Sequence, residues 1–124
     1  MRVTDYRELD VYQRAFELQQ HIFEASKAFP KSETYSLTDQ VRRSSRSIGA
    51  NIAEAWKKRL YPAHFRSKLT DADAEASETR HWIHTAHACA YLDDASRDHL
   101  DGLTRQVGKM LGTMIRDAES WCSR

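Results

Sequence analysis

Three histidines at steps of three, His81, His84 and His87, follow Glu75 and Glu78, and the Glu78-x-x-His81 spacing is the one by which helical bundles hold di-metal centres. Such a centre needs a second Glu-x-x-His on another helix and further inward carboxylates, and the chain carries no second copy. Steps of three also drift around a helix. The expected reading is solvated or interface histidines with no metal and no other cofactor. His21, His64 and His99 are isolated in the sequence. Ser44, Ser45 and Ser47 have no evident base or orienting partner and read as small packing positions. Cys89 reads as a small core residue. No GxSxG, glycine-rich phosphate loop or HExxH is present, so the chain is not expected to be an enzyme, and no small-molecule substrate is expected.

The basic residues are unevenly placed. Arg42, Arg43, Arg46, Lys57, Lys58, Arg59, Arg66 and Lys68 have only Glu54 as an acid within their interval. Arg42, Arg46, Lys57, Lys58, Arg59, Arg66 and Lys68 are therefore candidates for contact with RNA or DNA phosphates. The competing reading pairs these charges with Asp71, Asp73, Glu75 and Glu78, or leaves them to keep the surface wet. No base-reading motif accompanies them.

Four stretches of helical periodicity must position these groups. The one from Ser36 to Arg59 puts Leu37, Val41, Ser44, Ile48, Ile52 and Ala55 at steps of three and four, the stripe of a helix buried along one side. Before it, Asp5 and Glu8 form a capping box for a helix expected over Tyr6 to Ala28, with Val11, Ala15, Leu18, Ile22, Ala25 and Phe29 on one side. Pro30 ends that helix, and KSETYS reads as a loop whose Thr34 or Ser36 caps the next. Pro62 suits the first turn of a third helix, along which Phe65, Leu69, Ala72, Ala76, Thr79, Ile83, Ala86 and Ala90 alternate four and three. Asp93 to Ser96 supplies turn and cap chemistry. A fourth helix is expected over Ser96 to Trp121, with Leu100, Leu103, Val107, Met110, Met114, Ala118 and Trp121 on one stripe and Leu111 and Ile115 beside it. Short connections favour antiparallel neighbours, so the predicted fold is all-α, an antiparallel up-down-up-down four-helix bundle.

The 124 residues make one domain, 1–124, with 30% charged and 40% hydrophobic residues, four glycines and two prolines. A net charge of +1 supplies no global field toward nucleic acid or an anionic membrane. Cys89 and Cys122 form no CxxC and read as reduced thiols. Neither a signal peptide nor a membrane span is apparent, and a soluble, cytoplasmic protein is expected. Beside the first helix's stripe lies a second, Tyr12, Phe16 and Phe23. Together with Trp56, Trp82 and Trp121 it offers more aromatic surface than one small bundle obviously hides. Tyr12, Phe16, Phe23, Trp56 and Trp82 are the candidate contacts of a homo-oligomer, the alternative being a monomer with a wide core.

The runs YRELDVYQRAFEL, FPKSETYSLTDQVRRSSRSIGANIAEA and FRSKLTDADAEASETRHWIHTAHACAYL resemble the bacterial four-helix bundle family, the 23S rRNA intervening-sequence or S23 proteins, over nearly the whole chain. Gln40, Arg43, Ser47, Ile48, Asn51, Ile52, Ala53 and Glu54 fall on the family's pattern, followed by Phe65, Leu69, Ala72 and Glu78. Ala55, where the family usually has glycine, and Glu75, where it tends to a small residue, depart from it. The resemblance implies a ring-like homopentamer of four-helix bundles and, for most members, an unknown function. A related branch, the accessory proteins of diversity-generating retroelements, forms more basic pentamers that bind nucleic acid. Gln40, Arg43, Asn51, Glu54 and Glu78 read as structural polar residues, with Arg43 reaching Glu78 as a buried pair, so Arg43→Ala and Glu54→Ala are expected to disturb folding or assembly. The leading expectation is a non-enzymatic, oligomeric assembly or interaction module whose partner is itself. The alternative is a nucleic-acid-binding accessory protein using the basic cluster.

Overall fold

In the computed structural model, which describes residues 3–122, five helices and three short turns follow one another and no strand occurs among the described residues. The helices are α1 (Asp10–Ser26), α2 (Asp39–Lys57), α3 (Pro62–Ala88), α4 (Asp94–Arg116) and the short α5 (Ala118–Cys122). Pairings run antiparallel. Between α2 and α3 they pass from Ser44–Thr79 to Glu54–Lys68, between α3 and α4 from Arg66–Ile115 to Arg80–Asp101, and between α1 and α2 from Gln19–Gly49 to Ser26–Arg42. With α1 also packed on α4, the four long helices close an up-down-up-down ring. No helix among the described residues is long and apolar enough to cross a membrane.

The core is the expected one over most of its length. Leu18, Ile48, Phe65, Leu69, Val107 and Leu111 are fully buried. At the α2–α3 seam the packing is close because the side chains are small. Ser44 and Thr79, each 0% exposed, stand with their hydroxyls 2.9 Å apart: Thr79 donates to the Glu75 carbonyl at 2.8 Å, which leaves its oxygen to accept from Ser44. Each buried hydroxyl thus keeps a partner, as the cost of burying polar atoms requires. Gly49 lies under Tyr12: a Cβ there would stand 3.3 Å from the ring, tighter than ordinary contact.

The helix ends differ from the sequence reading, and tertiary burial explains most of the differences. The expected first helix is interrupted: a 3₁₀ turn over Tyr6–Glu8 is followed by Leu9 in extended backbone, and α1 begins only at Asp10. Leu9 is 4% exposed, and its burial takes the chain out of helical geometry. The expected capping box acts one residue out. Asp5 accepts from the Arg7 amide, whereas Glu8 accepts from the amide of Thr4. The segment KSETYS is not an open loop. A 3₁₀ turn (Lys31–Glu33) and a wide π turn (Thr34–Thr38) run straight into α2 and bury Leu37 and Thr38. Neither Thr34 nor Ser36 caps α2; their hydroxyls donate to the Lys31 carbonyl and the Glu33 carboxylate.

Pro62 stands in the first turn of α3 and Asp93 caps α4 by accepting from the Ser96 amide, both as expected. Ala90 is exposed instead of completing the α3 stripe. It adopts left-handed backbone, φ 67°, while the Tyr91 amide reaches back to the Ala86 carbonyl at 2.8 Å. This is the helix-ending arrangement that glycine usually supplies. Cys89, expected in the core, is exposed at the same helix end. The fourth helix breaks at Asp117, which lets α5 bury Ala118 and bring Trp121 edge-on to Trp56 at 6.0 Å.

Candidate interaction surfaces

The seven candidate phosphate-binding cations do not form one patch. Arg42 and Arg46 sit near the start of α2 over the Phe23 ring, 4.8 and 5.6 Å from its centroid, and Arg42 also donates to the Ser26 hydroxyl. Lys57 and Lys58 lie at the other end of α2, about 22 Å away along a helix rising 1.5 Å per residue. There Arg59 lies flat on Trp56, 3.5 Å from the ring centroid, and donates to the Trp56 carbonyl. Arg66 is turned toward α4, donating to the Ile115 carbonyl. Lys68 is held by Glu54 at 2.8 Å and Asp71 at 3.6 Å. Lys57 and Lys58 are exposed and, among the described residues, their side chains have no hydrogen-bond or ion-pair partner. They precede Leu60 and Tyr61, which are 75% and 58% exposed. Sequence reasoning passed over those two side chains because the polar run around them hid their apolar character.

Among the structural polar residues, Arg43 does cross from α2 to α3. Its guanidinium donates to Glu78 and, at 3.3 Å, to Glu75. The Trp82 indole donates to the same Glu78 carboxylate at 2.9 Å. The expectation of a buried pair is corrected, since the Arg43 side chain is 47% exposed. Asn51 donates to the Ser47 carbonyl, Glu54 faces solvent with Lys68, and Gln40 is half-buried.

The hydrogen bond from Arg43, then that from Trp82, holds the Glu78 carboxyl below the usual carboxylate range. A depressed carboxylate contributes stability above its unfolded value, near about 4.3, and loses it as pH falls through the folded value. Water screens the pair, so Glu78→Gln is expected to cost about 0.5–1 kcal/mol at pH 7. Thermal melts of the two proteins should converge as the pH is lowered toward 3; a gap that persists there would assign the loss to packing.

The candidate interface aromatics separate by exposure. Trp56 is 8% exposed, closed in by Trp121 and Arg59, so its expected place on a subunit interface is corrected to a place in the chain's own core. Trp82 is half-buried against the His81 ring. Phe23 is half-buried beneath Lys27, Arg42 and Arg46. Tyr12 packs edge-on to Tyr6 at 4.8 Å and lies beside Phe16 at 6.2 Å. Phe16 remains 45% exposed.

The α3 histidines face separate partners. His84 meets Asp101 at 3.1 Å beside Arg80, and His87 meets Asp94 at 2.7 Å. Burial works to raise the Asp101 carboxyl, but hydrogen bonds from Arg80 and His84 outweigh it and hold the group below its usual range. Among the described residues no three histidine, cysteine, aspartate or glutamate side chains converge as metal ligands would. The fold does join two histidines that are isolated in sequence. His21 of α1 and His99 of α4, 78 positions apart, stand with ring nitrogens 3.4 Å from each other.

Known proteins match this arrangement at the level of family and fold. A family model described as 23S rRNA-intervening sequence protein matches residues 7–113. A solved structure from Bacteroides thetaiotaomicron VPI-5482, described as a protein with unknown function from the S23 ribosomal protein family, superposes with a TM-score of 0.77. It is 27% identical, and the match covers 85% of this chain and 97% of that one. No curated protein matches.

Proposed function

From the premise that this chain belongs to the 23S rRNA-intervening sequence protein family, we propose that it is a non-enzymatic assembly module, working as a homo-oligomer of four-helix bundles. The observation that carries this reading is the α1 ridge: Phe16 is 45% exposed next to Tyr12, along a helix whose core stripe is already satisfied. On the flanking α2 surface, beyond the buried Gly49 that Tyr12 covers, Ala50 is exposed, a small side chain over which a second chain can pass closely. Exposed aromatics beside small residues are what a self-contact requires. Five copies is the number that the family resemblance implies. Sedimentation at micromolar concentration tests the reading. A species several times heavier than the 14.4 kDa chain is expected, and a single species of that mass would end the proposal.

A second reading, contact with single-stranded nucleic acid, is favoured by Lys57 and Lys58, whose ammonium groups lack partners and stand beside the exposed Tyr61. Free ammonium groups next to an exposed ring suit phosphates and a stacked base. Each phosphate contact adds about 0.7 to the slope of log affinity against log salt. The double substitution Lys57→Ala, Lys58→Ala is expected to flatten the slope for an oligonucleotide by roughly one to one and a half. An oligonucleotide that fails to bind at low salt, or a slope that the substitutions leave unchanged, removes this reading.

A further inference from the structure

We propose that His21 and His99 form a binding site for a late first-row divalent cation, with zinc as the probe ion, that clasps α1 to α4. The His21 Nδ1 and His99 Nε2 atoms are 3.4 Å apart, and the ring centroids 5.0 Å. Two imidazole nitrogens bound to one tetrahedral zinc at 2.0–2.1 Å stand about 3.3–3.4 Å apart. The spacing on this seam is therefore already that of a ligand pair. In the absence of metal, two neutral imidazoles at this distance share one proton, since one nitrogen donates and the other accepts. When a cation binds, His99 gives up that proton from Nε2 to solvent and takes one on Nδ1, staying neutral, so that a lone pair on each ring faces the metal.

A second observation concerns the far side of the His21 ring. Glu17, one turn earlier on α1, places its carboxylate 3.8 Å from His21 Nε2. At this distance the carboxylate favours the proton on Nε2 electrostatically and comes within hydrogen-bond reach by a small side-chain movement, which leaves Nδ1 free to bind metal, the orientation in which ligating histidines are commonly held. Glu17 is steadied in turn by Arg14 at 3.6 Å. On α4, His99 lines a shallow concavity with Asp98 and Arg105, and Asp98 is engaged by Arg97. Both rings are exposed, so an ion arrives directly from solvent. Imidazole donors select zinc, copper and nickel over magnesium and calcium. Two protein donors are one fewer than a catalytic zinc site uses, so water completes the coordination and the ion exchanges. The consequence is mechanical: the ion joins the first and last long helices of the ring without contributing a reaction.

Calorimetric titration of the tag-free protein with zinc tests the site. One ion per chain is expected, with affinity at least tenfold lower in His21→Ala and in His99→Ala, about tenfold lower in Glu17→Gln, and unchanged in His84→Ala and Cys89→Ser. At zinc a hundredfold above the dissociation constant, the melting temperature of the unsubstituted protein should rise by roughly 5–10 °C, and that of the two histidine variants should not. Circular dichroism of each variant establishes that its helices are intact. Zinc affinity unchanged in either histidine variant, or no heat and no thermal shift up to millimolar zinc, overturns the proposal.

Discussion

Replacing Phe65 by alanine is expected to lower the unfolding free energy by about 3–5 kcal/mol, the range for deleting a buried aromatic ring. Phe65 is 0% exposed and sits in the first turn of α3, where its amide donates to the Tyr61 carbonyl at 3.0 Å. The ring thus lies just beyond the exposed Lys58–Tyr61 turn, held on a helix that Pro62 starts rigidly. A rigid surround collapses poorly into a cavity, which puts the effect toward the upper part of the range. For a chain of this length the melting temperature should fall by roughly 10–20 °C, measured by circular dichroism. Tyr35→Ala is the control: that ring is 84% exposed, and its removal should leave the melt within about 0.5 kcal/mol of the unsubstituted protein. A Phe65→Ala protein that melts like the Tyr35→Ala protein would mean that the core described here is not the one that holds the bundle together.

Phe16→Asp is expected to act on association and leave the subunit intact. Because the ring is 45% exposed, aspartate at this position meets water in the single chain and costs it little. In an assembly that covers the ridge, the same carboxylate is desolvated with no cation assigned to it, the circumstance in which a charge is most damaging. The nearest basic side chain on α1, Arg14, is already directed to Glu17. Association should weaken by at least about a hundredfold, the equivalent of roughly 2.7 kcal/mol, so that sedimentation at micromolar concentration shows the 14.4 kDa chain while the helical spectrum is retained. An oligomer of undiminished mass in this variant would place the contact elsewhere on the surface.

The four long helices were legible because their signal is local. Steps of three and four along Val41, Ser44, Ile48 and Ile52 commit a helix to one buried side regardless of what it meets, and these residues are indeed buried. Arg43 and Glu78 were also legible as partners, through the family pattern. What escaped the sequence depends on neighbours distant in the chain. The break at Leu9 and the π turn at Leu37 arise because each leucine is drawn into the core, and nothing in the local pattern distinguishes them from helical residues. Trp56 looked surplus until α5 folded Trp121 onto it. His21 and His99 carry no mutual signal at all; only the closure of the helical ring brings them within 3.4 Å. The cations were legible as a group by number and not by place, since successive residues of one helix point in different directions and its two ends lie apart.

The adjacency of α1 and α4 also bears on the order of events while the chain is being made. The α2–α3 and α3–α4 corners, residues 58–61 and 89–93, close short loops and can form as soon as their helices exist, whereas the seam between α1 and α4 closes over most of the chain. Until α4 has emerged, the apolar side of α1, with Val11, Leu18 and Ile22, lacks one of its two flanking helices. A nascent chain at that stage offers a vacancy that α4 of a neighbouring copy fits as well as its own does. Exchange of α4 between copies is therefore an error open to this topology, and fast capture by each chain of its own α4 opposes it.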